Sequence, residues 1–338
     1  MKLYGGIDLH SNNSVVALLD DEDRAVYRKR LPNEAGAVLD ALAPYREAIE
    51  GLVVESTYNW YWLVDALMDA GYRVHLANTS AIVQYSGLKY SDDDSDAAWL
   101  ANLLRLGLLP EGYIYPKAER PVRDLLRRRM RLVQQHTANV LSVQNLLARS
   151  RGRSPSANEV KRLTPEAVAR LLPDPNLALA VQGNLLVMRA QEAAIDLLER
   201  QACAQVQLRP AYRRLLTVGG IGKILGLTIM LETGPVARFA KAGNYASYCR
   251  CVGGERLSNG KRKGQGNTKN GNKYLVWAYL EAAHFAVRYD AAVKRVYQRK
   301  QAKTNGVIAI KAVAHKLARA CYYMLPDGTD FEASRAFA

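Results

Sequence analysis

The chain has 338 residues, of which 49% are hydrophobic and 23% charged, a composition that excludes a largely disordered protein. This length predicts at least two domains. No stretch of 18 apolar residues occurs without a charge, and the first residues lack the apolar centre of a secretory signal, so we expect neither a membrane span nor export. The four cysteines form no Cys-x-x-Cys pair, which favours reduced thiols in a cytoplasmic protein over a zinc site or a disulfide framework.

The net charge of +15 is unevenly distributed along the chain. Residues 1–110 contain 9 basic and 16 acidic side chains, whereas the remainder contains 38 basic and 16 acidic ones. A basic surface binds polyanions largely by releasing their counterions. The distribution therefore predicts a nucleic-acid partner for the basic part, with a surface that only maintains solubility as the alternative.

The first 110 residues have the pattern of an α/β domain. Short apolar runs predict strands, and apolar positions spaced three and four apart predict helices. The order βββαβαβα describes a mixed sheet that begins with three antiparallel strands and continues with parallel ones. The predicted strands are 3–7, 15–19, 25–30, 52–54 and 73–77, and the predicted helices are 34–43, 59–70 and 95–106.

From residue 120 the sequence becomes mainly helical. Residues 120–148 and 177–207 predict two long helices, which a polar segment joins into an antiparallel coiled-coil arm. The first helix begins with an arginine cluster that we expect to contact phosphates, although a solvated helix face has the same pattern. The cluster consists of Arg120, Arg123, Arg127, Arg128, Arg129 and Arg131.

The sequence pattern divides the chain into three parts, residues 1–117, 118–208 and 209–338. The third part is predicted to be mostly helical. Its run TVGGIG is similar to the turn of a helix-hairpin-helix, where bare glycine backbones approach a DNA phosphate. We expect Gly220, Gly222 and Lys223 to make this contact.

A glycine-rich basic loop follows at 258–273, with no acidic residue between Glu255 and Glu281. This composition favours a loop that wraps a sugar–phosphate backbone, with hydroxyl groups at Ser258 and Thr268, over a loop that is only flexible. Its basic residues are Lys261, Arg262, Lys263, Lys269 and Lys273.

Four carboxylates are candidates for chemistry. Asp8 and Glu55 each end a predicted strand, and Asp93 and Asp96 share one face at the start of a helix. If the two strands are neighbours, all four converge at one sheet edge, where their repulsion requires a positive charge. Two Mg²⁺ ions would supply it and would clamp the attacking and leaving oxygens of a phosphodiester. Each acid alone has an ordinary explanation, and the acidic run at 92–94 leaves open which members point inward.

Asp8, Glu55, Asp93 and Asp96 resemble the DEDD tetrad of the RuvC-like transposases of bacterial insertion sequences, relatives of the Piv DNA invertases. The stretches VGGIGK, LSNGK and TKNGN are similar to the second conserved domain of that family, so the resemblance covers nearly the whole chain. It implies an RNase H-like (RuvC-like) mixed-sheet domain that binds Mg²⁺, a helical coiled-coil arm and a mostly α-helical C-terminal transposase domain.

The resemblance also implies a mechanism and partners. The family's nucleophilic serine falls on Ser258, and its understood members are bridge recombinases, in which a guide RNA pairs with donor and target DNA. Such enzymes act as dimers or tetramers. The chain departs from the family where a Pro often precedes the hairpin glycine, and where Asn259 replaces a common Gly.

Three other functions are compatible with parts of the sequence. A RuvC-like resolvase would use water as its nucleophile, and Ser258 would then only contact phosphate. A nucleic-acid-binding scaffold with a degenerate site is a second possibility, against which the complete tetrad argues. An ATPase of the actin and sugar-kinase type ranks last, because no glycine-rich phosphate loop follows Glu55.

Overall fold

The computed structural model describes residues 1–82, 93–206, 209–265 and 270–337. The chain separates into two units, Met1–Lys117 and Ala118–Ala338. Lys269 and Thr268 lie outside the described residues. No helix in the described part is long and apolar enough to cross a membrane. All four cysteines are free thiols.

The first unit contains a six-stranded sheet with the order β3-β2-β1-β4-β5-β6. Its elements are β1 (Leu3–Leu9), β2 (Asn13–Leu19), β3 (Ala25–Pro32), α1 (Ala35–Leu42), β4 (Ile49–Glu55), α2 (Tyr61–Asp69), β5 (Val74–Ala77), α3 (Asp93–Arg105) and β6 (Glu111–Gly112). The first three strands are antiparallel, and β4 and β5 run parallel to β1. The predicted mixed sheet is thus confirmed, and it is consistent with an RNase H-like domain. Strand β6 was not predicted, because two residues carry no periodic pattern.

Helices cover both faces of this sheet. On one face, Ile7 and Val54 of the central strands pack in a cluster with apolar residues of α1 and α2, such as Val38 and Leu63. On the other face, α3 packs against β1, β2 and β4. Because side chains alternate along a strand, Gly6 and Asp8 point to the opposite face from Ile7, the face that α3 covers.

The second unit begins with two 32-residue helices, α4 (Arg120–Arg151) and α7 (Pro175–Val206). Side-chain pairs between them join Arg129 to Glu199 and His136 to Glu192, so the two helices are antiparallel. Two short helices, α5 (Ala157–Lys161) and α6 (Pro165–Leu171), lie in the connection. The buried apolar positions of both long helices are spaced three and four apart, as a helix–helix seam requires.

The rest of the second unit is a helical bundle with one small hairpin. Its elements are α8 (Pro210–Leu215), α9 (Lys223–Thr233), α10 (Ala242–Tyr248), β7 (Glu255–Ser258), β8 (Lys261–Gln265), α11 (Lys273–Tyr289), α12 (Ala291–Lys303), α13 (Gly306–Asp327) and α14 (Ala333–Ala336). Buried hydroxyl groups tie three helices together: the Tyr245 hydroxyl lies 2.8 Å from Thr233 Oγ1 and 2.7 Å from the Tyr279 hydroxyl. The hairpin replaces the first part of the predicted basic loop.

Candidate active site and nucleic-acid interface

The fold brings Asp8 and Glu55 together at one end of the sheet. Strands β1 and β4 are parallel neighbours with Ile7 opposite Val54, so the next residue of each strand is a carboxylate. The two carboxyl groups share a hydrogen bond. Asp8 is only 5% exposed, and acids this buried are almost always paired.

A close contact at Gly6 allows α3 to lie directly on β1. A Cβ atom at this position would overlap the carbonyl oxygen of Ala97 and would lie 2.7 Å from the amide nitrogen of Ala101. Only glycine therefore permits the helix backbone to approach the strand that carries Asp8. The first turns of α3 bring Asp96 to this end of the sheet. The backbone of Asp93 begins α3, but its side chain lies outside the described atoms.

Two of the other predicted acids, Asp8 and Asp96, change the electrostatics of Glu55. The pKa of Glu55 is raised from 4.5 to about 8, first by burial, then by the hydrogen bond to Asp8 and by the charges of Asp8 and Asp96. Neighbouring carboxyl groups cannot all ionise at neutral pH unless a cation lies among them. In the protein alone, a proton retained by this cluster reduces the repulsion.

The donor chemistry of this cluster fits Mg²⁺. Carboxylate oxygens are the protein ligands that Mg²⁺ prefers, and a cation would relieve the repulsion that raises the pKa of Glu55. Among the described side chains, no group of three or more His, Cys, Asp or Glu has the arrangement of a metal site as it stands. The described acids therefore supply the right type of ligand without a complete coordination shell.

His10 is a member of this site that the sequence analysis missed. Its Nε2 lies 3.2 Å from Asp8 Oδ2. The side-chain amides of Asn33 and Asn59 both donate to the backbone carbonyl of His10, at 2.9 and 3.0 Å, and hold the turn after β1 in place. The two-residue spacing from Asp8, which places both side chains on the same face of an extended chain, is the signal that could have indicated it.

Ser258 is presented at the tip of a tight β-hairpin in the second unit. It ends β7 and pairs with Lys261, and its side chain is exposed. The two residues between them, Asn259 and Gly260, have φ angles of 50° and 70°, as a type I′ turn requires. Asn tolerates this left-handed conformation better than other non-glycine residues, so Asn259 can replace the family's Gly without changing the turn. The Asn-Gly pair is also the sequence signal that could have predicted the hairpin.

A buried polar cluster anchors the start of α11, seven residues beyond the hairpin. The Asn272 side chain caps α11 by accepting from the Tyr274 and Leu275 amides, and its Nδ2 donates to Glu232 Oε2 at 2.7 Å. Arg127 donates from Nε and Nη2 to the two oxygens of Glu232, at 2.6 and 2.8 Å. Glu232 is 2% exposed. The anchor thus joins α4, α9 and α11.

This anchor should matter far more for stability than a similar pair on the same helix. Glu232→Gln leaves the Arg127 guanidinium beside a neutral amide in a buried site, and we expect a loss on the order of 3 kcal/mol in the free energy of unfolding. The matched control is Glu199→Gln, which breaks the pair with Arg129. The Glu199 carboxylate is more exposed than that of Glu232, so this substitution should cost less than about 1 kcal/mol. Urea unfolding of both variants, followed by circular dichroism, measures the difference, and equal losses would contradict it.

Four of the six arginines in the predicted cluster on α4 are buried or form ion pairs. Arg120 and Arg123 are 4% and 3% exposed, so neither belongs to an open face. Arg127 and Arg129 form ion pairs with Glu232 and Glu199. The six arginines therefore do not share one open face, and their phosphate contacts stay a prediction: charge spacing along a helix does not reveal which side chains find partners elsewhere in the chain.

The exposed basic residues form a smaller set. It consists of Arg128 and Arg131 on α4, Lys223 at the start of α9, Lys261 and Lys263 on the hairpin, and Lys273 at the start of α11. The side chain of Arg262 is not among the described ones. Of the basic residues predicted to contact phosphate, these are the exposed ones.

The glycines of the TVGGIG turn have different roles. A Cβ at Gly220, whose φ is 95°, would overlap the carbonyl oxygen of Ala282 and lie 2.7 Å from the Ala286 amide nitrogen. Packing on α11 thus explains why Gly220 is glycine, and its predicted phosphate contact stays a prediction. No heavy atom lies within 4 Å of the corresponding position at Gly222, which is exposed at the start of α9.

Comparison with known families agrees with this geometry. A family model for the DEDD transposase of IS110 elements, described as a transposase, matches residues 5–150. A second, described as the transposase IS116/IS110/IS902 family, matches residues 212–298. No curated protein matches the chain at a significant level. The first match contains the described acidic cluster and the second contains the serine hairpin and Asn272, so the chain belongs to the IS110 family of DEDD transposases.

Proposed function

We propose that this transposase cuts and rejoins DNA strands by transesterification, with Mg²⁺ bound by the DEDD acids and Ser258 as the nucleophile. The observation that carries the proposal is that Asp8 and Glu55 meet at the ends of adjacent parallel strands, with Asp96 of α3 close enough to raise the pKa of Glu55. Such a cluster is costly to maintain unless it binds a cation, and perturbed carboxyl groups of this kind are typical of functional sites. Asp93 completes the proposed set.

The proposed step conserves the energy of the phosphodiester bond. The Ser258 hydroxyl attacks the phosphorus atom, a bond from Oγ to phosphorus forms, and the bond from phosphorus to a deoxyribose oxygen breaks. The serine proton leaves, and the departing oxygen takes up a proton to become a hydroxyl group. A hydroxyl group of another strand then reverses the step and releases the serine. Mg²⁺, when bound, would stabilise the charge that develops on the phosphate oxygens.

The chain's own residues position the participants. Asp8 is held between Glu55 and His10, and the two asparagine amides fix the His10 turn. The type I′ turn presents Ser258 to solvent, and the Glu232 anchor limits movement at the start of α11. The exposed lysines of the hairpin and of α11 would hold the sugar–phosphate backbone near Ser258.

We further propose that the partners are donor and target DNA, a bridge RNA and further copies of the chain in a dimer or tetramer. The exposed arginines 128 and 131 support a polyanion partner, and the repeating seam of α4 and α7 supports a coiled-coil arm. The site of action is the bacterial nucleoid. No described observation favours a resolvase over a recombinase, and only the fate of Ser258 separates the two.

The RNA partner has a direct test. The full chain is expressed with the non-coding ends of its element, purified, and its bound RNA is sequenced. We expect one discrete structured RNA to be enriched over total cellular RNA, and Arg128→Glu with Arg131→Glu to reduce its recovery, because each lost phosphate contact weakens binding. The matched control reverses the exposed Arg299 and Lys300 on α12. Recovery of only the bulk RNA population would contradict the proposal.

A further inference from the structure

A cleft lies at the end of the helix pair where α4 ends and α7 begins. Its volume is about 490 Å³, which is within the usual range for pockets that bind small ligands. Its lining includes three leucines, which we call the floor, and three arginines, which we call the rim: Leu147, Leu163 and Leu171, and Arg151, Arg153 and Arg162. We call it the arm-tip cleft. None of these residues belongs to the acidic cluster or to the serine hairpin.

Hydrogen bonds hold the walls of the arm-tip cleft in a fixed shape. The Ser156 and Glu159 side chains form a reciprocal capping box at the start of α5, and Thr164 caps α6. Gln144 of α4 donates to the Pro155 carbonyl at 2.7 Å, and Arg189 of α7 donates to the Lys161 carbonyl at 2.8 Å. The connection is thus tied to both long helices, so a ligand would enter a preformed site.

The charges of the rim select an anion. Arg151, Arg153 and Arg162 are exposed, and in the described part of the chain neither Arg151 nor Arg162 has an ion-pair partner. Glu159, the one acid of the lining, lies 4.0 Å from Arg153, and its carboxylate accepts a hydrogen bond from the Ser156 amide at 2.6 Å. The lining therefore combines three guanidinium groups and three leucines with one engaged carboxylate.

An apolar floor beneath an arginine rim fits a ligand that has a flat apolar part between two anionic groups. A nucleotide within a single strand has this form, since its base is flanked by two phosphates. Inorganic phosphate would leave the floor unused, and a duplex keeps its bases stacked and paired. Guanidinium groups also bind phosphates bidentately, which fixes the register of the strand.

We propose that the arm-tip cleft binds one unstacked nucleotide of a single-stranded nucleic acid, with the base on the leucine floor and the adjacent phosphates on the arginines. The inference rests on the proposed function only for the presence of a nucleic-acid partner. The proposed subsite is remote in sequence from both the acids and Ser258. RNA and single-stranded DNA both carry the base and phosphates that this subsite would bind.

The experiment distinguishes binding of the base in the cleft from general electrostatic attraction of the phosphates. Fluorescent seven-nucleotide strands, one intact and one with an abasic central nucleotide, are titrated against the full-length protein at constant salt. We expect the intact strand to bind roughly fivefold or more tightly, because the abasic strand keeps every phosphate but loses the apolar contact. Ribose and deoxyribose versions of both strands distinguish RNA from DNA as the source. Equal affinity for intact and abasic strands would overturn the proposal.

Matched variants locate the effect. Arg151→Gln with Arg162→Gln removes two charges from the rim and should abolish the preference for the intact strand. Arg149→Gln with Arg170→Gln removes two exposed charges from the same end of the helix pair, outside the cleft lining, and should preserve it. Loss of the preference for the intact strand in both double variants would show that binding depends on the overall positive charge of this region. That result would overturn the proposal.

A measurement on the unaltered protein tests the inference without depending on whether any variant folds. A strand with 4-thiouridine at its centre is cross-linked and the modified peptide is identified by mass spectrometry. A cross-link within residues 147–171 supports the cleft, and cross-links found only elsewhere overturn it. Displacement of the strand by an acidic peptide but not by nucleotides would likewise overturn it. Failure of Ser258 to react with DNA would leave these results unchanged, so failure of the site and failure of the proposed chemistry are distinguishable.

Discussion

Asp8→Asn should abolish DNA strand exchange while the protein stays folded and bound to nucleic acid. Asp8 is buried and contacts both Glu55 and His10, so its charge lies at the centre of the acidic cluster. We expect the rate to fall by on the order of 10³-fold or more, as when an enzyme loses a group that stabilises transition-state charge. Strand exchange on a plasmid carrying donor and target sites, assayed with and without Mg²⁺, measures the effect.

Two further measurements distinguish loss of the metal site from loss of the folded structure. The substitution removes one of the charges that raise the pKa of Glu55, so the melting temperature of the metal-free protein should not fall. The matched control is Asp40→Asn, an exposed acid on α1, which should exchange strands at the normal rate. Exchange by Asp8→Asn at the normal rate, or an Mg²⁺ requirement unchanged by it, would refute the metal-site assignment.

The sequence was sufficient to predict the mixed sheet and to place Asp8 and Glu55 at strand ends, whereas their convergence depended on the two strands being neighbours, as the structure shows. Asp8 and Glu55 each follow an apolar run, and parallel strands with covered faces are buried enough to give such runs. The neighbouring positions of β1 and β4 then follow from the strand order. What the sequence could not reveal is the approach of α3, because the overlap that excludes a side chain at Gly6 involves backbone atoms about ninety residues away.

Long-range polar pairing explains the remaining differences. The arginine spacing on α4 is compatible with an open basic face, but Arg127 is paired with Glu232, 105 residues further along the chain. Periodicity reports which positions share a face, and it carries no information about partners at that distance. The serine hairpin is the opposite case. Asn259 and Gly260 specify the turn locally. The basic, glycine-rich composition of the loop indicates its charge but carries no information about this turn.

Ser258 should become covalently attached to DNA during the reaction. A nicked suicide substrate lets a short fragment diffuse away after cleavage, so the rejoining step fails and the phosphoserine ester accumulates. After denaturation, the adduct should appear as a shifted band on a gel, and peptide mass analysis should place the modification on Ser258. The exposed tip of the hairpin makes this hydroxyl accessible to a phosphodiester, and the adjacent lysines at 261 and 263 favour the approach of the backbone.

Ser258→Ala decides between a recombinase and a water-using resolvase. The variant should bind DNA and Mg²⁺ normally but give no adduct and no strand exchange, because water would leave free ends whose rejoining needs an external energy source. The matched control is Ser247→Ala, an exposed serine on α10, which should form the adduct at the normal rate. Cleavage by Ser258→Ala at the normal rate would favour the resolvase. An adduct on Ser247 or Thr268 would retain covalent chemistry but reassign the nucleophile, since the type I′ turn would then serve only to place Ser258 against phosphate.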